Sequence, residues 1–245
     1  YIVLQFSDLA GELLGRYVEE NTPTEYIRLP ADVTDISILF NNLTGSLSLK
    51  ILFLQYHQFG LIGVQSMVPF FKNSPNLSRI DFSQNEDINS ECFEAIIEAL
   101  DGGPVEYLNM SGCSINDISA LEKISLPHLQ ELSLYNDQFS LANNNIERVP
   151  CLDHLTNLQE LWLSRNIIQI IPPMEMLTNL QKLELDDNRI GNEGCKEVAK
   201  LLRSSRSSLK YIYLNHKNYI ETLKNNDVKI NLEMLNKIIF DSDIK

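Results

Sequence analysis

Apolar residues return along the chain in one fixed order. LKILFLQYHQF begins at Leu49, LSRIDFSQNEDI at Leu77, VEYLNMSGCSI at Val105 and LQELSLYNDQF at Leu129. LQELWLSRNII begins at Leu158, LQKLELDDNRI at Leu180 and LKYIYLNHKNY at Leu209. Successive starts lie 28, 28, 24, 29, 22 and 29 residues apart. Positions 1, 4 and 6 of each phrase are apolar. Position 9 holds Asn85, Asn166 and Asn188, with Cys113, His57, Asp137 and Lys217 as departures.

Elementary geometry assigns a task to each position. Side chains alternate along a strand, so positions 4 and 6 share one face, and positions 3–6 predict a short strand with an apolar inner side. One copy cannot bury that side alone, whereas stacked copies bury it between them. An asparagine amide both donates and accepts, so position 9 can satisfy backbone groups where the chain turns off the strand.

The segments between the strands are of two kinds. Residues 60–76, 88–103 and 190–208 carry helical periodicity: Cys92, Ile96, Ile97 and Leu100 share one face, as do Cys195, Val198 and Leu202. IIQIIPPMEMLTN, after Asn166, is too short for that and predicts an extended back or a single turn.

A period of 20–29 residues with this spacing resembles the leucine-rich-repeat superfamily, over roughly residues 24–220. The long copies are similar to the class typified by ribonuclease inhibitor, and the 22-residue copy to the short class. The resemblance implies an α/β fold: a right-handed leucine-rich-repeat solenoid with a parallel concave sheet of about eight strands and a mixed helical and extended convex side. Its curvature is expected to change near Leu158. The expected organisation is an N-terminal cap with one degenerate repeat over 1–48, seven repeats over 49–220 and a cap helix over 221–245, all one structural domain. SDLAGELLGRYVEE (7–20) and NLEMLNKIIF (231–240) read as capping helices. TEYIRLPADVT fits the degenerate repeat through Ile27 and Leu29.

The phrase from Leu129 reads as a 22-residue repeat with seven residues added, because Asn144 lies 22 before Asn166. Either YNDQFSL or SLYNDQF loops out, since both registers keep a Ser-Leu pair for the strand. Such loops are common places for function, and equally for tolerated insertions.

Positions 2, 3, 5, 7 and 8 point to the concave side. Seven residues there are aromatic: Phe53, Tyr56, Tyr107, Tyr135, Trp162, Tyr211 and Tyr213. Aromatics suit strands for packing alone, and they are also preferred anchors of protein interfaces. Trp162, the sole Trp, is either such an anchor or strand filler. Seven carboxylates (Asp81, Glu106, Glu131, Glu160, Glu184, Asp186, Asp187) face five cations (Lys50, Arg79, Arg165, Lys182, Lys210). The acids concentrate at Glu184, Asp186 and Asp187, beside Trp162 and Arg165 of the preceding repeat. The candidate partner-binding set is therefore Tyr107, Tyr135, Trp162, Arg165, Glu184, Asp186, Asp187, Tyr211 and Tyr213. An aromatic anchor rimmed by carboxylates suits a basic segment of a protein partner.

Composition narrows the alternatives. A net charge of -13 disfavours nucleic acid and anionic membrane surfaces as partners. Cys92, Cys113, Cys151 and Cys195 form no CxxC motif or cluster, so four buried thiols in a reducing, cytoplasmic setting are expected. The chain begins at Tyr1, so a removed leader or a preceding domain stays open, as does an extracellular setting. Asn42, Asn76 and Asn109 begin glycosylation triplets of little weight in an Asn-rich chain. No histidine pairs with a Cys or Ser nucleophile, and no phosphate-binding glycine motif occurs. The expectation is a non-catalytic protein–protein interaction module that binds through its concave face, with no metal or cofactor. A regulator of an enzyme, of GTPase-activating or inhibitor type, and an extracellular recognition domain are the alternatives.

Overall fold

The computed structural model describes residues 2–3, 25–29, 39–40, 45–136, 144–204 and 206–214. The capping helices expected over 7–20 and 231–240, and the position-9 residues Asp137 and Lys217, lie outside this set. Nine short strands form one parallel sheet in chain order. They are β1 (Ile2–Val3), β2 (Tyr26–Arg28), β3 (Ile51–Phe53), β4 (Arg79–Asp81), β5 (Tyr107–Asn109), β6 (Glu131–Ser133), β7 (Glu160–Trp162), β8 (Lys182–Glu184) and β9 (Tyr211–Tyr213). Seven of these begin at position 3 of a phrase. β2 brings the degenerate repeat into the same register, with Ile27 opposite Leu52. β1 is an addition to the expected set, pairing Ile2 with Ile27; its two residues are too short to show a pattern.

Registry is strict because one slip would turn the apolar row outward. Position 4 stacks as Ile27, Leu52, Ile80, Leu108, Leu132, Leu161, Leu183 and Ile212, none more than 5% exposed. Positions 1 and 6 form rows of their own, buried from Leu49 to Leu180 and from Leu29 to Leu214, with Leu209 partly buried at the end of the first.

The backs differ as the periodicity implies. Helices α1 (Gly60–Lys72) and α2 (Ser90–Ala99) cover the early repeats, and α3 (Asn192–Arg203) follows β8. Asn89 caps α2 by accepting from Cys92 N at 3.0 Å. Cys92, Phe93, Ile96 and Ile97 of α2 are buried. In α3, Leu201 is buried more deeply than Leu202. Between β7 and β8 there is no helix; Ile168, Ile171, Met174 and Leu177 turn inward from an extended back. That back forms a small ladder of its own, with a parallel bridge between Arg148 and Ile170.

The asparagine turns are built as their chemistry suggests. Asn166 Nδ2 donates to the carbonyls of Leu134 and Leu163, and its Oδ1 accepts from Ile146 N. Asn188 repeats this with Leu163, Leu185 and Ile168, and Asn85 with Leu54, Phe82 and His57. Cys113 contributes only a thiol contact to Phe82 O at 3.5 Å. Position 8 of five copies, at Tyr56, Gln84, Gly112, Arg165 and Asp187, has left-handed backbone with φ between 54° and 66°. Gly112 meets this need without strain; a Cβ there would also strike the Gln84 side chain at 2.4 Å.

The ladder also fixes the insertion. Gly112 N donates to Tyr135 O, and Asn136 N donates to Ser164 O, as positions 7 and 8 do elsewhere. Asn144 then takes the position-9 bonds, donating to Met110 O and Leu134 O and accepting from Ile115 N. The added residues are therefore 137–143, later than either register expected from the Ser-Leu pair, and they lie outside the described residues. Backbone pairing, not the duplicated dipeptide, decides where the chain departs.

One cysteine departs from expectation too. Cys92, Cys113 and Cys195 are buried, and burial raises each thiol pKa, to about 12 for Cys113. Cys151 is exposed, because in the irregular connection after β6 its neighbours Val149 and Leu152 turn inward and it turns out.

Candidate binding face

Outward residues of the strands line up in rows set by the register. Position 5 of successive strands runs Ser133, Trp162, Glu184, Tyr213. Position 3 runs Tyr107, Glu131, Glu160, Lys182, Tyr211. Neighbouring members of a row are about 4.8 Å apart, so their side chains interact.

At the centre sits Trp162, half-buried. Its Nε1 donates to Glu160 Oε2 at 3.2 Å. The Lys182 ammonium lies 3.3 Å from its ring centroid and 5.3 Å from that of Tyr213. The same ammonium pairs with Glu184 Oε1 at 3.1 Å, with both side chains only 19% exposed. Ser164 Oγ donates to Glu184 Oε2. Tyr211 and Tyr213 are exposed, at 56% and 42%.

The remaining candidates separate into smaller groups. Arg165 reaches Asp187 at 3.6 Å across adjacent left-handed turns. Asp186 accepts Arg165 N through its carbonyl. Tyr135, half-buried, sits on the turn after β6 at the edge of the insertion. Tyr107 lies two strands from Trp162 and instead carries Arg79 over its ring at 4.3 Å. Burial, then the charges of Asp81 and Glu131, push the Tyr107 hydroxyl up to about 12. Burial, then the Glu160 charge, also raises the Glu131 carboxyl above its ordinary range.

Lys182 is the central residue that pattern reading passed over, treating it as one cation among five. The signal was present: position 3 of one strand lies diagonal to position 5 of its neighbour, within reach of a long side chain. Beneath these rows, Gln130, Gln159, Gln181 and Lys210 form a chain of side-chain hydrogen bonds between 2.8 and 3.3 Å, locking position 2 of four repeats. Among the described residues, no three His, Cys, Asp or Glu side chains could together hold a metal ion. Nor is any helix there long and apolar enough to cross a membrane. His57 is buried and stacked on Phe59, 5.1 Å between centroids.

Comparison with known proteins adds to this geometry. A family model described as leucine-rich repeats in two copies matches residues 156–198. A leucine-rich-repeat protein of Leptospira interrogans is similar in structure, at TM-score 0.50 and 20% identity over 79% of this chain and 53% of that one. An internalin of Listeria monocytogenes stands at TM-score 0.48 and 21% identity, over 74% of this chain and 50% of its own. Internalin C2 of the same species stands at 0.47 and 22%, over 74% of each chain. The similarity thus spans about half the length of the first two of these proteins. No curated protein matches the chain in sequence. The matched residues 156–198 hold β7, β8 and the Asn166 and Asn188 turns, where strand register and asparagine bonding are both complete: the chain has the leucine-rich-repeat solenoid fold, and these two copies match the family's own pattern.

Proposed function

We propose that the chain is a non-catalytic protein-binding module whose contact surface is the outward sheet face across β7–β9. Proteins of this fold commonly serve as interaction modules. The observation that carries the reading is the cluster of Trp162 on β7 with Tyr211 and Tyr213 on β9, two of them exposed, flanking Lys182 on the strand between. Large flat side chains of low conformational entropy at the centre of a polar rim are what interface anchors look like. The rim here is Glu160, Glu184, Asp186 and Asp187 with Arg165, an acid excess that suits a basic segment of the partner.

The test is affinity capture with the whole chain against a Trp162→Ala, Tyr211→Ala double variant of equal thermal stability. The expectation is that proteins retained by the wild type are lost from the variant. Retention of the same proteins by both would defeat the proposal and move attention to another surface.

A further inference from the structure

On this face the chain acts as its own ligand. The Lys182 ammonium is held by two rings and a carboxylate from three adjacent strands. Glu160 is held in turn by the Trp162 indole, and Glu131 stands in register beside Glu160. Glu184 pairs with that cation, Glu160 stands in register beside it and Glu131 one strand farther along the same row, and Glu131 and Glu160 repel each other as in-register neighbours. We infer that this arrangement is a seat for the guanidinium of an arginine on a protein partner, with Lys182 as its displaceable occupant. The inference rests on the binding-face reading above and supplies its chemistry.

Three physical points support it. A lysine on a four-carbon stem regains rotamer freedom when it swings out. A guanidinium is flat, stacks on indole and phenol rings better than an ammonium, and can bond a carboxylate through two N–H groups. Adding one cation to three carboxylates and one lysine still leaves the seat short of positive charge, so the displaced Lys182 need not leave the area.

Capped Gly-Ser-Arg-Ser-Gly, with lysine and norleucine counterparts, would be titrated into the whole chain. The emission of Trp162, the sole Trp, reports on the seat. Lys182→Met keeps most of the stem and removes the competitor; affinity for the arginine peptide is expected to rise on the order of fivefold. Glu184→Gln in that background is expected to reverse the gain. Lys182→Gln serves if the Met variant loses its thermal transition. Unchanged or weaker arginine binding in both Lys182 variants would overturn the inference, as would an equal response to norleucine or lysine. Loss of proteins from the Trp162, Tyr211 double variant alongside such a result would leave the binding face standing and remove only the arginine seat.

Discussion

The span β3–β5, whose strands are joined through helices α1 and α2, and the span β6–β8, whose strands are joined by short connections, share one strand register but are held together differently. Behind the former, helices stand off the sheet by a helix diameter, about 10 Å, and the gap is filled with rings. Phe40, Phe70, Phe71, Phe82 and Phe59 form an edge-to-face chain with centroids 5.2–6.2 Å apart, and Phe93 is fully buried nearby. Their turn positions are His57, Asn85 and Cys113, so only one of the three carries the full amide. Behind the latter the back is thin and aliphatic, with Val149, Leu152, Ile171 and Met174 inward. There, every turn is an asparagine: Asn144, Asn166 and Asn188. The same solenoid is thus held by apolar volume behind β3–β5 and by buried polar bonding along β6–β8, before α3 restores a helical back. The proposed binding face begins over this asparagine-bonded span, at β7 and β8.

That contrast is open to direct attack. The largest loss is expected from Phe93→Ala, about 3–5 kcal/mol by denaturant unfolding, because a wide ring leaves a cavity between helix and sheet. Next, Asn166→Ala is expected to cost about 3 kcal/mol, since it strands buried carbonyls and one amide together. Cys113→Ala, at the equivalent turn, is expected to cost about 1 kcal/mol, as only a weak thiol donor is lost. Equal costs at the two turns would erase the distinction between the halves.

The smallest effect is electrostatic. Because burial and Glu160 raise the folded-state pKa of Glu131, its ionised form disfavours folding. That penalty is present above the folded pKa and vanishes as pH falls below the unfolded value of about 4.3. Glu131→Gln should therefore raise thermal stability at neutral pH, by roughly 0.5 kcal/mol or less, with the gain fading on acidification. A loss at neutral pH that fades on acidification would mean Glu131 is held by a cation instead.

The strands, the three helices and the asparagine turns were legible because each follows from local spacing and from chemistry repeated in every copy. The break after Asn136 was not, since it depends on which amide meets the Ser164 carbonyl, and the doubled Ser-Leu pair pointed elsewhere. Trp162, Glu184 and Tyr213 could be placed together by register alone. The seat of Lys182 could not, because it depends on which way a flexible stem folds across two strands. Tyr107 shares its type with Tyr211 yet belongs to another cluster, with Arg79, a fact of distance that composition does not carry.

Five copies turn at position 8 with the same left-handed residue, while Asn136 at the same rung does not. The joint between positions 8 and 9 is therefore where a solenoid can be lengthened during its history. The eight residues before it stay zipped to their neighbours, and the asparagine after it re-seats in the standing lattice. At that joint this chain has taken on seven residues while keeping the bonds of Asn144. A repeat array built this way can try new sequence over generations without renegotiating its core.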